Sequence, residues 1–103
     1  MPEVEYDRPL GYGARKRHYH KTERGQVVDF LVQLEVEVRG EWVAVVRYDC
    51  SHGFVHKDLH NLTGEKRKER LELSYKEGLT LADTDINDNW EKYKERCLRG
   101  GYS

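Results

Sequence analysis

Residues 27–38 carry the strongest pattern in the chain, because apolar and polar side chains alternate there with a period of two. Such an alternation predicts a β-strand with one face on a core and one face towards solvent. Most of the apolar positions are β-branched, which suits a pleated strand. The apolar row is Val28, Phe30, Val32, Leu34, Val36 and Val38, and from Asp29 to Glu37 Leu31 is the one apolar residue in the polar row. A sheet with a covering layer is therefore the expected architecture.

A second strand is expected at residues 42–49, after a tight turn at Arg39-Gly40-Glu41. The length of the turn sets the register, and a slip of one residue reverses the faces of the second strand. A two-residue loop would put Val43, Val45, Arg47 and Asp49 on the face of the valine row, and a three-residue loop would put Trp42, Ala44, Val46 and Tyr48 there. We expect the three-residue loop, because it gives the more apolar inner face.

The rest of the chain supplies further strands around this hairpin. Residues 15–23 and 54–59 are each expected to form a strand, with turns at Arg24-Gly25 and at residues 51–53. The charged segment 61–70 is expected to be a connector, followed by a short edge strand at residues 71–73. Residues 1–13 show no period and are expected to be an irregular lead-in to a single domain at residues 14–100.

The period changes to that of a helix near the C-terminus. Apolar residues recur every three or four positions, as in one stripe of an amphipathic helix. The stripe is Leu79, Ala82, Ile86, Trp90, Tyr93 and Cys97. Ser74 and Glu77 form a capping box at its start, and Gly100-Gly101 is expected to end it. The predicted fold class is α+β: an antiparallel β-meander of four to five strands with one C-terminal α-helix packed on one face.

The composition is that of a folded domain. The chain has 103 residues, with 18 basic and 19 acidic side chains that leave a net charge of −1. A nearly neutral chain with a dense apolar segment folds more readily than it stays disordered. No run of apolar residues is long enough to span a membrane, and the first residues lack the pattern of a secretory signal. We therefore expect a cytoplasmic protein without a membrane partner.

All five histidines lie between positions 18 and 60. On an extended strand His56, Asp58 and His60 share one face, while Val55, Lys57 and Leu59 share the other. Imidazoles titrate near neutral pH, so a concentration of them suggests acid–base chemistry. In that hypothesis His52 and His56 act as acid and base, and Asp49 orients a histidine. Arg47, Lys57 and Tyr48 then contact the substrate, and no cofactor is required for cleavage of RNA by its own 2′-hydroxyl.

Two other interpretations of this segment remain open. Imidazoles and a carboxylate from His56, Asp58 and His60 could bind a divalent metal ion, although their spacing matches no zinc signature. Alternatively, the cluster is structural: Asp49 caps the turn, Arg47 pairs with it, and the histidines are polar strand residues.

The segment 15–21 contains four Lys or Arg residues around Tyr19. Basic residues beside an aromatic ring suit a phosphate backbone, which would make RNA a partner. The alternative is an edge strand that its charges protect from aggregation.

The residues Arg47-Tyr48-Asp49, His52-Gly53 and His56-Lys57-Asp58 resemble a motif of a short uncharacterised prokaryotic family. The motif is Val-Arg-Tyr-Asp-x-x-His-Gly-x-x-His followed by Arg or Lys and Asp. The family also has Asn-Trp-Glu-x-Tyr in its C-terminal helix, as at residues 89–93 here. The resemblance spans about residues 25–100 and implies that the motif residues act together. A more distant likeness is to small toxin–antitoxin-associated proteins.

Two hypotheses of function follow. The first is a nucleic-acid-acting module of toxin–antitoxin type that cleaves RNA and has a cognate antitoxin as partner. The second is a non-enzymatic binding or assembly domain, for example a homodimer formed through a strand edge or the exposed sheet face.

Overall fold

The computed structural model describes residues 2–60 and 65–99, which form one six-stranded sheet and one helix. The strands are β1 (Glu3–Gly11), β2 (Ala14–Glu23), β3 (Gln26–Val38), β4 (Glu41–Asp49), β5 (Val55–His60) and β6 (Lys66–Leu71), and the helix is α1 (Tyr75–Leu98). Each strand pairs antiparallel with the next, so the spatial order follows the sequence. The α+β meander with a C-terminal helix is confirmed, with six strands instead of four to five.

The core lies between α1 and one face of the sheet, which we call the helix side; the opposite face is the outer face. From β3, Phe30, Val32, Leu34 and Val36 are at most 1% exposed, and α1 contributes Ala82, Ile86, Tyr93 and Cys97. The middle of the predicted row is thus the centre of the core. Val28, the first residue of that row, is exposed instead, because the register with β2 shifts there and Val27 packs against the core. No helix in the described residues is long and apolar enough to cross a membrane.

The hairpin between β3 and β4 departs from the expected loop. Val38 pairs with Glu41, so Arg39-Gly40 is a two-residue loop, and both residues have positive φ. The expected three-residue loop was therefore wrong, because Arg39 adopts the left-handed conformation that a type I′ turn requires. Arg24-Gly25 makes the same turn between β2 and β3.

A β-bulge in β4 restores the expected inner face for Val46 and Tyr48 only, because Trp42 and Ala44 lie before the bulge, opposite Glu37 and Glu35 on the outer face. The register shifts between Leu34 and Glu35, where Ala44 and Val46 are successive partners and Val45 is the extra residue. Beyond the bulge Leu34 lies opposite Val46, and Val32 lies opposite Tyr48. Because one inserted residue reverses the faces of a strand, Arg47 and Asp49 point to the outer face despite the shorter loop.

The N-terminal segment is a strand and not an irregular lead-in. Residues 3–11 pair with β2 along nearly their whole length, and the register becomes irregular only between Pro9 and Gly11. Pro9 is tolerated because β1 is an edge strand, where an amide group need not donate to a neighbour. Val4 and Tyr6 alternate with acidic residues, but two apolar positions are too few to predict a strand from the sequence.

The charged segment after β5 also contains a strand. Residues 66–70, expected as connector, form β6 together with Leu71, whereas residues 61–64 lie outside the described part. The expected short edge strand at residues 71–73 is thus placed too late, although it is at an edge. An edge strand often carries charged side chains that discourage pairing with other chains. Its composition can therefore be the same as that of a solvated loop.

Helix α1 begins as predicted. The Ser74 side chain accepts a hydrogen bond from the Glu77 amide, and the Glu77 side chain accepts one from the Ser74 amide. The helix ends at Leu98 with Arg99 as its cap, and the expected stop at Gly100-Gly101 lies outside the described residues.

Candidate functional site

The pairing of β4 with β5 divides the predicted site residues between the two sides of the sheet. Asp49 lies opposite His56, and Arg47 lies opposite Asp58, all on the outer face. Tyr48 lies opposite Lys57 on the helix side. The strand periodicity of two thus brings together the histidine and the carboxylates but places Lys57 and Tyr48 elsewhere.

His56 is the most enclosed residue of the outer-face group. Its side chain is 2% exposed, and Asp49 and Asp58 beside it are 7% and 3% exposed. Nε2 of His56 lies 2.5 Å from Oδ1 of Asp49, and Nδ1 lies 3.6 Å from Oδ1 of Asp58. These are close polar approaches rather than aligned hydrogen bonds. Each ring nitrogen therefore faces a buried carboxylate of the protein itself.

His52 occupies the turn after β4 and is exposed. Its ring stacks on that of His56, with centroids 5.4 Å apart and an angle of 28° between the planes. The Asp49 carboxylate also accepts from the amide and the hydroxyl of Ser51, at 3.4 and 3.3 Å. Asp49 thus holds the turn, as the structural interpretation expects, whereas Arg47, which that interpretation pairs with Asp49, donates to Gln33 instead.

His60 shares the outer face with His56 and Asp58, as predicted from the alternation. Burial lowers the pKa of the His60 imidazole, while the Asp58 carboxylate partly opposes this effect. Among the described residues no group of three or more His, Cys, Asp or Glu side chains is arranged to hold a metal ion. The geometry therefore offers no support for a metal site at His56, Asp58 and His60.

Arg47 belongs to a chain of polar side chains across the outer face. Its Nε donates to Gln33 at 2.8 Å, and Gln33 donates to Glu35 at 2.6 Å. Glu35 also accepts from Arg15 at 2.7 Å. Arg47 and Gln33 line a depression of about 300 Å³, whose other lining residues are Glu5, Asp7, Arg17, His18, Tyr19 and Leu31. The depression carries charges of both signs and gives no clear preference for an anion.

A second polar cluster lies on the helix side, between the sheet and α1. The hydroxyls of Tyr48 and Tyr93 each donate to Oδ2 of Asp85 at 2.5 Å. Lys57 donates to the Tyr93 hydroxyl at 2.9 Å, and Asn89 donates to Oδ1 of Asp85 at 2.8 Å. Lys57 and Tyr48 thus stabilise the contact between sheet and helix.

This environment shifts the acidities of the cluster. Burial and the hydrogen bond to Asp85 raise the pKa of both Tyr48 and Tyr93. Burial alone would raise the pKa of the Asp85 carboxyl, but its hydrogen bonds and the Lys57 charge outweigh burial and lower it. The tyrosines therefore remain hydroxyl donors and Asp85 remains a carboxylate at neutral pH.

The basic segment of β2 forms an inner strand, so its interpretation as an edge strand was wrong. Lys16 is 2% exposed and its Nζ lies 3.0 Å from Oδ1 of Asp83 on α1. His18 Nδ1 lies 3.1 Å from the same oxygen, and burial lowers the pKa of His18. On the outer face Arg17 pairs with Asp7 at 3.3 Å. The positive charges of this strand are thus largely compensated by the protein's own carboxylates.

Sequence reasoning missed the acidic residues of α1 that bind the sheet. Asp83 and Asp85 lie in the N-terminal half of α1, where acidic residues are common, so nothing local marks them as partners of the sheet. The overlooked signal is the spacing of Asp85, Asn89 and Tyr93, which lie four residues apart and therefore on one helix face. That face borders the apolar stripe.

Comparison with known proteins identifies the family of this chain but no activity. A family model described as a domain of unknown function, DUF7718, matches residues 1–101. The chain belongs to this family, which agrees with the uncharacterised family expected from the sequence. None of the curated proteins matches the chain, and none of the solved structures matches it.

Proposed function

We propose that this protein is a non-enzymatic binding or assembly domain, in which the group of His56, Asp49 and Asp58 is structural. The burial of His56 between the two carboxylates is the observation that supports this proposal most. Its side chain is 2% exposed, and each of its ring nitrogens faces one of these carboxylates. A catalytic base needs a ring nitrogen within hydrogen-bond reach of the substrate.

The distribution of the other candidate residues supports the same proposal. Lys57 donates to Tyr93 and Tyr48 donates to Asp85 where the sheet packs against α1. These contacts occupy the groups that a phosphate would otherwise bind. Nucleic-acid binding relies on uncompensated positive charge, whereas Lys16 and Arg17 already have carboxylate partners. A rigid scaffold with ion pairs on both sides of its sheet is better suited to present a surface than to perform a reaction.

Removal of the His56 imidazole tests the structural role. We expect His56→Ala to lower the free energy of unfolding by about 3 kcal/mol, because two buried carboxylates lose the group between them. Urea denaturation at pH 7, followed by circular dichroism, measures the change. His52→Ala is the matched control: this ring is exposed, and we expect a change within about 0.5 kcal/mol. Equal stabilities of wild type and His56→Ala would contradict the proposal.

The stacking of His52 on His56 favours a second candidate function, cleavage of RNA by a toxin–antitoxin-type module. An exposed imidazole beside a second one is the minimum for acid–base catalysis, and Arg47 lines an open depression on the same face. In this candidate one of His52 and His56 takes the proton of the attacking 2′-hydroxyl, and the other gives a proton to the 5′-oxygen that leaves as its bond to phosphorus breaks. Asp49 orients His56, and a cognate antitoxin would cover the face.

Incubation of the purified protein with total RNA distinguishes the two functions. We expect no cleavage by the wild type, with or without EDTA. Cleavage that survives EDTA and disappears in the His52→Ala, His56→Ala double variant would support the second candidate. Cleavage that EDTA abolishes would instead point to a divalent metal. The His52→Ala single variant, which we expect to keep the fold, separates a loss of chemistry from a loss of structure.

A further inference from the structure

The sheet has two open edges in the described part of the chain. β1 and β6 each pair with one neighbour only, so the outward amide and carbonyl groups of both strands have no strand partner. Every residue from Glu3 to Pro9 is exposed, and so is every residue from Lys66 to Arg70. An open edge is a template for pairing with another chain.

The two edges carry opposite charge on the outer face. The side chains of β1 on that face are Glu3, Glu5 and Asp7, because they share the register of Tyr19 and its neighbours in β2. The side chains of β6 on that face are Lys66, Lys68 and Arg70, which lie opposite the histidines and Asp58 of β5. Asp7, Lys66 and Arg70 also have ion-pair partners within the chain, whereas Glu5 and Lys68 have none among the described residues. An acidic row at one edge and a basic row at the other are complementary to each other, while each repels its own kind.

Both rows have a spacing of two residues, so one register pairs all of them. With β1 antiparallel to β6, Glu3 lies opposite Arg70, Glu5 opposite Lys68 and Asp7 opposite Lys66. The same register brings Tyr6 opposite Arg67 on the helix side, where a guanidinium can lie over a ring. Within one chain β1 and β6 already run antiparallel, so a second copy continues the sheet with its outer face on the same side.

We propose that the partner of this domain is a second copy of the same chain, and that β1 of one copy pairs with β6 of the other in this register. The inference rests on the proposed assembly function and specifies its partner. The contact is heterologous, since two different edges meet, and it either closes into a ring or continues as a filament. Pairing of β1 with β1 would put acidic rows together, and pairing of β6 with β6 would put basic rows together.

A charge exchange tests the register directly. Glu5 and Lys68 are exposed, and they face each other at the centre of the proposed contact. We expect the wild type to associate at low ionic strength and to dissociate as salt is raised, as analytical ultracentrifugation over a concentration series would show. Glu5→Lys alone and Lys68→Glu alone should each raise the dissociation constant about tenfold or more, because each puts like charges opposite one another.

Two restorations make the test specific. An equimolar mixture of the Glu5→Lys and Lys68→Glu proteins should associate again, because every contact between unlike chains regains an opposite pair. The double variant with both changes in one chain should associate like the wild type. Glu91→Lys, an equal charge change at an exposed position of α1, is the control and should leave association unchanged. Glu3→Lys with Arg70→Glu provides a second pair if either first variant folds poorly.

A wild type that stays monomeric over the concentration series would overturn the inference, and so would a mixture of the two variants that fails to associate. Association that is insensitive to both charge changes would overturn it as well. These results are distinct from failure of the proposed function, which would appear as RNA cleavage that depends on His52 and His56.

Discussion

Asp85 joins α1 to the sheet through Tyr48 on β4. It accepts hydrogen bonds from Tyr48 on β4 and from Tyr93 and Asn89 on its own helix. Its side chain is 14% exposed, so these bonds are only weakly exposed to competition from water. The cluster gives Tyr48 and Lys57 structural contacts that need no substrate.

Substitution of Asp85 should therefore have a pH-dependent effect. We expect Asp85→Asn to lower the free energy of unfolding at pH 7 by about 2 kcal/mol, since bonds to a charged acceptor are lost. Because the folded-state pKa of Asp85 lies below its ordinary value of 3.8, its contribution is complete above that pH. It is lost as the pH falls through the lowered folded-state pKa.

The difference between wild type and Asp85→Asn should accordingly narrow in acid, and urea denaturation between pH 7 and pH 2 measures it. Asp88→Asn, at an exposed position of the same helix, serves as control and should stay close to wild type throughout. If the free energies of unfolding of wild type and Asp85→Asn differ by the same amount down to pH 2, the charged carboxylate of Asp85 is not the stabilising form, which would contradict the prediction.

At the scale of elements, periodicity predicted β3 and α1 because each buries a continuous apolar row. Edge strands β1 and β6 were missed, because their sequences carry charge where an inner strand carries apolar residues. The bulge at Val45 was missed as well, because neither a glycine nor a break in the apolar residues of β4 marks its position. The two faces of β5 were predicted correctly from the alternation of its residues. The contacts of Lys57 and Tyr48 were not predicted, because they involve Asp85 and Tyr93 of α1, which are distant in sequence.

The first turn of α1 approaches the sheet so closely that it requires a glycine. A Cβ atom built at Gly78 would lie 2.8 Å from both methyl groups of Val55 and 3.2 Å from Cζ of Phe30. Both neighbours are at most 1% exposed, so neither can move into free space.

We expect Gly78→Ala to lower the free energy of unfolding by about 1–3 kcal/mol, even though alanine is the better helix former. Thermal and urea denaturation measure the change. Thr84→Ala, at an exposed position of the same helix, tests helix propensity alone and should be neutral or slightly stabilising. A Gly78→Ala protein as stable as Thr84→Ala would mean that α1 packs less closely against β5 than the structure shows.

At the scale of the whole molecule, the net charge of −1 hides a strong separation of charge. Acidic and basic rows alternate from β1 to β3 on the outer face, and the inner rows neutralise one another through pairs such as that of Arg15 with Glu35. The rows at the two edges have neighbours on one side only. In the proposed assembly, these edge rows are the charges that a complementary strand of a second copy would meet.

The central claim is that the His56 imidazole is buried between the carboxylates of Asp49 and Asp58, whereas the His52 imidazole beside it is exposed to solvent. Hydrogen–deuterium exchange at the Cε1 position of each histidine, followed by mass spectrometry of the wild-type protein at neutral pH, tests this claim directly. We expect His52 to exchange about as fast as a histidine in an unfolded peptide and His56 to exchange much more slowly. Equal and rapid exchange at both rings would show that His56 is open to solvent and would contradict its structural role.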